Sequence, residues 1–147
     1  MDESSGYPTG YLLTKIAQAT TAQFTERLAS LGIRPKHYGL LFALSSTPPG
    51  SQTELGRTLG LVPSAIVTMI DDLERRGAVS RAADPTSRRR FVVELTPAGR
   101  DLLARASKLG AAVDDEMLAA LSPEGRAALQ KLLEEVVFGR ESIAARR

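Results

Sequence analysis

The sequence predicts a mainly α chain with a small β-wing, in which a central lobe is flanked on both sides by long helices. Three observations lead there. Apolar residues recur at helical spacing over most of the chain, one segment at 78–95 switches to the period of a strand, and proline and glycine stand at the joints. The 147 residues fit one domain, 1–147, long enough to bury a core without staples.

A first helix is predicted from about Thr9 to Leu31, with Leu12 or Leu13, Ile16, Phe24, Leu28 and Leu31 on its apolar side and Gly32 as its stop. Pro35 suits the first position of a second helix. Tyr38, Leu40, Leu41, Phe42 and Leu44 make that helix apolar over much of its surface, which places it centrally. Thr47-Pro48-Pro49-Gly50 cannot continue a helix and reads as a loop. Ser51-Gln52-Thr53-Glu54 then has capping-box spacing: Ser51 can accept from the amide of Glu54, and Glu54 can reach back to the amide of Ser51. A short third helix follows, with Leu55 and Leu59 inward and Gly60 closing it.

The stretch Leu61 to Leu95 organises the rest. Pro63 opens a helix whose apolar face is Ile66, Met69, Ile70 and Leu73. Its other face carries Ser64, Ala65, Val67, Thr68 and Asp71, mostly small or polar, and Gly77 ends it just after Arg75 and Arg76. Residues 78–83 and 90–95 read as a two-stranded ribbon, the second strand alternating Phe91, Val93 and Leu95 against Val92 and Glu94. The link between them, residues 84–89, holds turn formers and then arginines. Two tightly joined helices are the pattern of a helix-turn-helix, and a ribbon directly after them makes it a winged one. A helix with a small polar outer face can approach base edges in a major groove, and an arginine-tipped ribbon can reach phosphates or a minor groove.

Thr96-Pro97 starts a further helix, striped by Leu102, Ala106, Leu109, Val113, Met117 and Leu121 to about Ala120. Ser122-Pro123 repeats the signal for a last helix, striped by Leu129, Leu132, Leu133, Val136 and Val137 to about Ile143. The lobe is too small to cover these stripes and that of the first helix, so pairing with a second copy of the chain is expected.

Composition narrows the function. With no cysteine there is no disulfide, thiol sensor or thiolate metal site, and a single histidine argues against a protein-only transition-metal centre. No cofactor is expected. The first residues are polar and acidic rather than a signal sequence, and no apolar run approaches membrane-spanning length, so a cytoplasmic protein with no membrane partner is expected. The net charge of +2 is unevenly spread: residues 75–90 hold six arginines against one aspartate, and residues 111–138 hold six acids against two cations. One basic face suits a polyanion.

From Leu31 to Arg100 the sequence resembles the MarR family of winged-helix transcriptional regulators. The resemblance rests on Leu31-Gly32-Ile33, Ser51-Gln52-Thr53-Glu54-Leu55, Asp72-Leu73-Glu74-Arg75-Arg76-Gly77, Asp84-Pro85-Thr86-Ser87-Arg88-Arg89-Arg90 and Leu95-Thr96-Pro97-Ala98-Gly99. It implies a winged helix-turn-helix lobe over residues 33–95 and dimerisation helices over 9–31 and 96–145. It further implies a homodimeric repressor on double-stranded DNA, bound to an imperfect palindromic operator and released by a small ligand, often an aromatic anion. Carried over by residue, Ser64, Ala65, Val67 and Thr68 face the major groove, and Arg88 or Arg89 enters the minor groove at the wing tip. Asp84 pairs with a wing arginine, Ser51, Gln52 and Thr53 lie near phosphates, and Arg81 and Arg90 complete the DNA-binding set. Lys15, His37 and Tyr38 are candidates to line the effector cleft; the competing readings are an exposed lysine, a surface histidine and a core tyrosine. Two positions depart from the family pattern: Val62 where a polar cap usually precedes the recognition helix, and Asp72 where many members have arginine.

The alternative function is a winged-helix protein-interaction adaptor without DNA binding, against which the wing arginines argue. An enzyme finds no support: no phosphate loop, nucleophile motif or metal constellation is present in the sequence.

Overall fold

Apolar spacing and end signals place the helices close to where the sequence puts them. The computed structural model describes residues 6–46 and 50–144, with side chains for all of these except 50, 51 and 141–144. The elements run α1 (Thr9–Leu28) with a 3-10 turn (Ala29–Leu31), α2 (Pro35–Ser46), β1 (Gly50–Ser51), α3 (Gln52–Leu59), α4 (Pro63–Arg75), β2 (Val79–Asp84), β3 (Ser87–Leu95), α5 (Pro97–Met117) and α6 (Pro123–Ala144). The loop expected at Thr47 to Pro49 lies outside the described residues, as does the Ser51 side chain of the expected capping box.

The core gathers around α2, which packs on α1, α3, α5 and β3. Leu40 and Leu41 are fully buried, joined by Leu28 from α1, Ile66, Ile70 and Leu73 from α4, and Val79 and Val93 from the sheet. Each such side chain contributes about 1.5–3 kcal/mol by leaving water. Two aromatics expected inward are not: Phe42 is 53% and Phe91 55% exposed. Phe42 follows Leu41 by one residue, about 100° round the helix and past the edge of the buried face.

The sheet has three strands, order β1-β3-β2, where the sequence predicts two. The missed strand is two residues long, Gly50 opposite Val93 and Ser51 opposite Val92, too short for any period to show. The wing also differs in detail. Its ladder runs in register from Val79↔Leu95 to Ala83↔Phe91, then jumps to Asp84↔Ser87. Arg88, Arg89 and Arg90 therefore have no partner on β2. They form a bulge on the shaft of the wing, and the tip is Pro85-Thr86 rather than an arginine.

The junction between wing and α5 is tight. Thr96 caps α5 by accepting from the Gly99 amide (3.0 Å), while its hydroxyl donates to the Gly77 carbonyl (2.5 Å) and its own amide donates to the Ala78 carbonyl (3.1 Å). Gly77, at φ 72°, makes the left-handed turn that brings those carbonyls round. At Gly99 there is no room for a side chain, because a Cβ would stand 1.9 Å from the Ala78 carbonyl oxygen. Gly99→Ala should therefore destabilise the protein by at least about 1–3 kcal/mol, read as a lowered midpoint in urea.

Candidate DNA-binding surface

The apolar face of α4 determines what its other face can present. Ile66, Met69, Ile70 and Leu73 are all buried, so Ser64, Ala65, Val67, Thr68 and Asp71 stand exposed on the opposite side. The Thr68 hydroxyl donates to the Ser64 carbonyl (2.9 Å), which leaves its oxygen lone pair and methyl for an outside group. The N-cap position is Val62, which supplies no side-chain hydrogen bond and is 64% exposed. The missing cap noted in the sequence is thus a feature of the folded helix, and Pro63 at the first position is what starts it.

Arg81 corrects the grouping made from sequence. Its guanidinium does not stand out as a cationic contact but lies between α3, α4 and the wing. It pairs with Asp71 (2.5 Å) and with Glu74, and donates to Oε1 of Gln52 (3.2 Å). The Arg81 amide also donates to Glu74 (3.2 Å). Hydrogen bonding to Asp71 is the largest cause holding this guanidinium's pKa above its usual value. Gln52, expected near phosphates, is half-buried and engaged with Arg81, whereas Thr53 is exposed in the first turn of α3.

Asp84 is a second correction. Rather than pairing with a wing arginine, its Oδ1 accepts from the amide (2.8 Å) and hydroxyl (2.7 Å) of Thr86. These bonds close the tip as an Asx turn and lower the pKa of the carboxyl, Arg90 adding a smaller effect from a distance. Arg88, Arg89 and Arg90 are exposed, and none forms an ion pair among the described residues. The sequence reading passed over Arg57, also exposed, although its spacing of four from Thr53 puts both on one face of α3.

The three effector candidates do not converge. His37 is buried, 7% exposed, and structural. Its Nδ1 accepts from the Arg34 amide (3.0 Å) at the start of α2, and its Nε2 faces Oδ2 of Asp72 on α4 (3.1 Å). With Nδ1 accepting, the proton sits on Nε2 and points at the carboxylate. Asp72 also takes Arg75 (3.3 Å) and Arg76 (3.2 Å), so this departure from the family pattern anchors α4 to α2. Lys15 is exposed on α1, with its ammonium 5.7 Å from the centroid of the Tyr11 ring. Tyr38 alone lines a cleft, of about 300 Å³, with Thr20, Phe24, Ser107 and Asp114. Phe24 meets the Tyr38 ring edge-on at 5.1 Å, and the Tyr38 hydroxyl lies 3.4 Å from that of Ser107.

Comparison with known proteins identifies the family. The MarR family profile matches residues 33–91, which span the lobe from the start of α2 into β3. The chain is 33% identical to the HTH-type transcriptional repressor Rv2887 of Mycobacterium tuberculosis, over 88% of this chain and 93% of that protein. It belongs to the MarR family. It is accordingly a winged helix-turn-helix transcriptional regulator that binds DNA, and not an enzyme. Among solved structures of the family, the repressor CouR bound to a 23-mer DNA duplex superposes with a TM-score of 0.79 at 33% identity, covering 88% of this chain and 92% of that one. Rv2887 in complex with salicylic acid superposes with a TM-score of 0.73 at 32% identity, covering 90% and 98%. Among the described residues no helix is long and apolar enough to cross a membrane.

The His37 clasp carries a pH dependence. Burial is the largest effect on its imidazole and lowers the pKa below 6.5; Asp72 opposes this, and Lys36, Arg76 and Arg34 reinforce it. A histidine depressed in the folded state binds fewer protons than in the unfolded chain, so its contribution is complete above 6.5 and is lost as the pH falls below that value. Thermal unfolding should show the midpoint falling from pH 7 to pH 5, and His37→Gln should flatten that part of the profile. Equal slopes in both proteins would dismiss the assignment.

Proposed function

We propose that the chain is a homodimeric repressor that sets α4 of each subunit into successive major grooves of an imperfect palindrome and is released by a small ligand. The observation that carries it is the exposed face Ser64, Ala65, Val67 and Thr68, flanked by a wing whose three arginines form no ion pair among the described residues. On this reading the small residues let the helix backbone approach base edges, and Arg88 reaches the adjacent minor groove. Such a regulator acts in the cytoplasm, where the DNA is.

Two uncovered faces support the dimer. Residues 9–19 of α1 are exposed throughout, including Tyr11, Leu12, Leu13 and Ile16. On α6, Leu132, Val136, Val137 and Phe138 are each more than half exposed. Apolar area on this scale is costly in water, and a two-fold partner removes it from both copies at once. The same symmetry sets the recognition helices about one DNA turn apart, roughly 34–36 Å.

The cleft at Tyr38 is the proposed effector site. Salicylic acid is bound in the related Rv2887 structure, and a cleft of about 300 Å³ walled by Phe24 and Tyr38 suits one aromatic ring. Among its described lining residues the one charged group is Asp114, so the counter-charge for an acid would have to come from elsewhere, such as the second subunit.

Selection of bound fragments from genomic DNA, followed by anisotropy titration and challenge with aromatic acids, tests the whole reading; failure to enrich a palindromic site would refute it. Thr68→Ala should relax base choice at one position per half-site, by roughly 1–3 kcal/mol, and leave binding to unrelated DNA unchanged. Val136→Asp should give monomer or aggregate on sedimentation and abolish operator binding, although residue 136 lies outside the lobe.

A further inference from the structure

We propose that Arg57, Arg89 and Arg90 form a clamp for a DNA backbone phosphate on the α3 side of the wing, separate from the base-reading face of α4. The proposal rests on the DNA-binding reading above and adds a contact that it lacks. A cleft of about 400 Å³ separates α3 from β3; Thr53, Glu54 and Arg57 line one side and Arg89, Arg90 and Phe91 the other. The bulge opposite the Ala83–Asp84 step is what puts the arginines there, since in regular register they would flank the tip.

Charge selects the occupant. Three guanidinium groups face one carboxylate, and among the described residues none of the three is in an ion pair. Arg34, Arg88, Arg100 and Arg140 share that state elsewhere on the surface, whereas Arg81, behind the cleft, is held by Asp71 and Glu74; what sets Arg57, Arg89 and Arg90 apart is that they line one cleft. Planar guanidinium forks match phosphate oxygens two at a time. The cleft is several times larger than one phosphate, and the half-exposed Phe91 ring gives it an apolar wall. A sugar-phosphate backbone fills that space, with deoxyribose against Phe91, where a free anion would be held loosely. The spacing is kept by Arg81, which bonds Gln52 of α3 from β2 and so fixes the wing against α3 behind the cleft.

The test uses the full-length protein, its selected operator and an unrelated duplex, titrated over a range of KCl. Arg57→Ala should weaken both duplexes by the same factor, about tenfold for a lost charged contact, and flatten the salt slope by about 0.9. Arg57→Lys should recover part of the loss. A methylphosphonate scan should find one phosphate per half-site whose neutralisation weakens the parent and leaves Arg57→Ala unaffected. Arg57→Ala that melts like the parent and binds both duplexes with unchanged affinity and slope would overturn the clamp. So would Arg57-dependent stabilisation of the DNA-free protein by millimolar inorganic phosphate beyond that of matched chloride, which would make the cleft a free-anion site. A parent that binds neither duplex would instead overturn the DNA-binding reading itself.

Discussion

The lobe depends on one half-buried guanidinium. Arg81 on β2 holds Asp71 and Glu74 of α4 and the side-chain carbonyl of Gln52 on α3, so three elements meet at one planar group. A guanidinium keeps its charge at any relevant pH and presents donors in a fixed fork, which makes it a rigid joint rather than a tether. Without it two carboxylates would face each other beside a surface that must attract a polyanion. Its presence both orients the wing and neutralises those acids, leaving the exposed arginines to set the local field.

Adjacent carboxylates on α4 point to different neighbours. Asp71 reaches the wing through Arg81, while Asp72, about 100° further round the helix, reaches α2 through His37. Helix α4 is thus clasped from two sides by ionic and hydrogen-bonded contacts, and its apolar stripe seats it from below. Thr96 adds a third tie, joining the turn after α4 to the start of α5. Motion of α5 would reach the lobe through this threonine and Gly99, where the backbones are too close to slide independently.

Much of this was legible in the sequence because it depends on local rules. The buried set Ile66, Met69, Ile70 and Leu73 follows from helical period, and the starts at Pro35, Pro63, Pro97 and Pro123 follow from what proline permits. What escaped depends on partners distant in the chain or on register. Arginine is equally suited to a phosphate and to an internal carboxylate, so residue type could not divide Arg81 from Arg89. His37 could be placed in the second helix but not next to Asp72, which lies 35 residues on. The bulge is a count of residues across two strands, and the alternation of Val93 and Leu95 fits both the regular and the bulged ribbon. Phe91 keeps the regular register opposite Ala83, on the same face as Val93 and Leu95, but stands further out along the wing, where the buried core no longer covers that face.

The Arg81 joint also bears on the order in which the chain assembles. Its partners Glu74 and Asp71 lie 7 and 10 residues away, and β2 and β3 are joined by a two-residue turn. The ion pair between α1 and α5, Arg27 with Glu116, spans 89 residues. Closing a short loop costs less entropy than closing a long one, so α4 and the wing can meet early, while the frame of long helices must wait for distant segments. During synthesis from the N-terminus, the whole winged lobe emerges before α5 and α6. The winged lobe can therefore take shape before the frame of long helices closes around it.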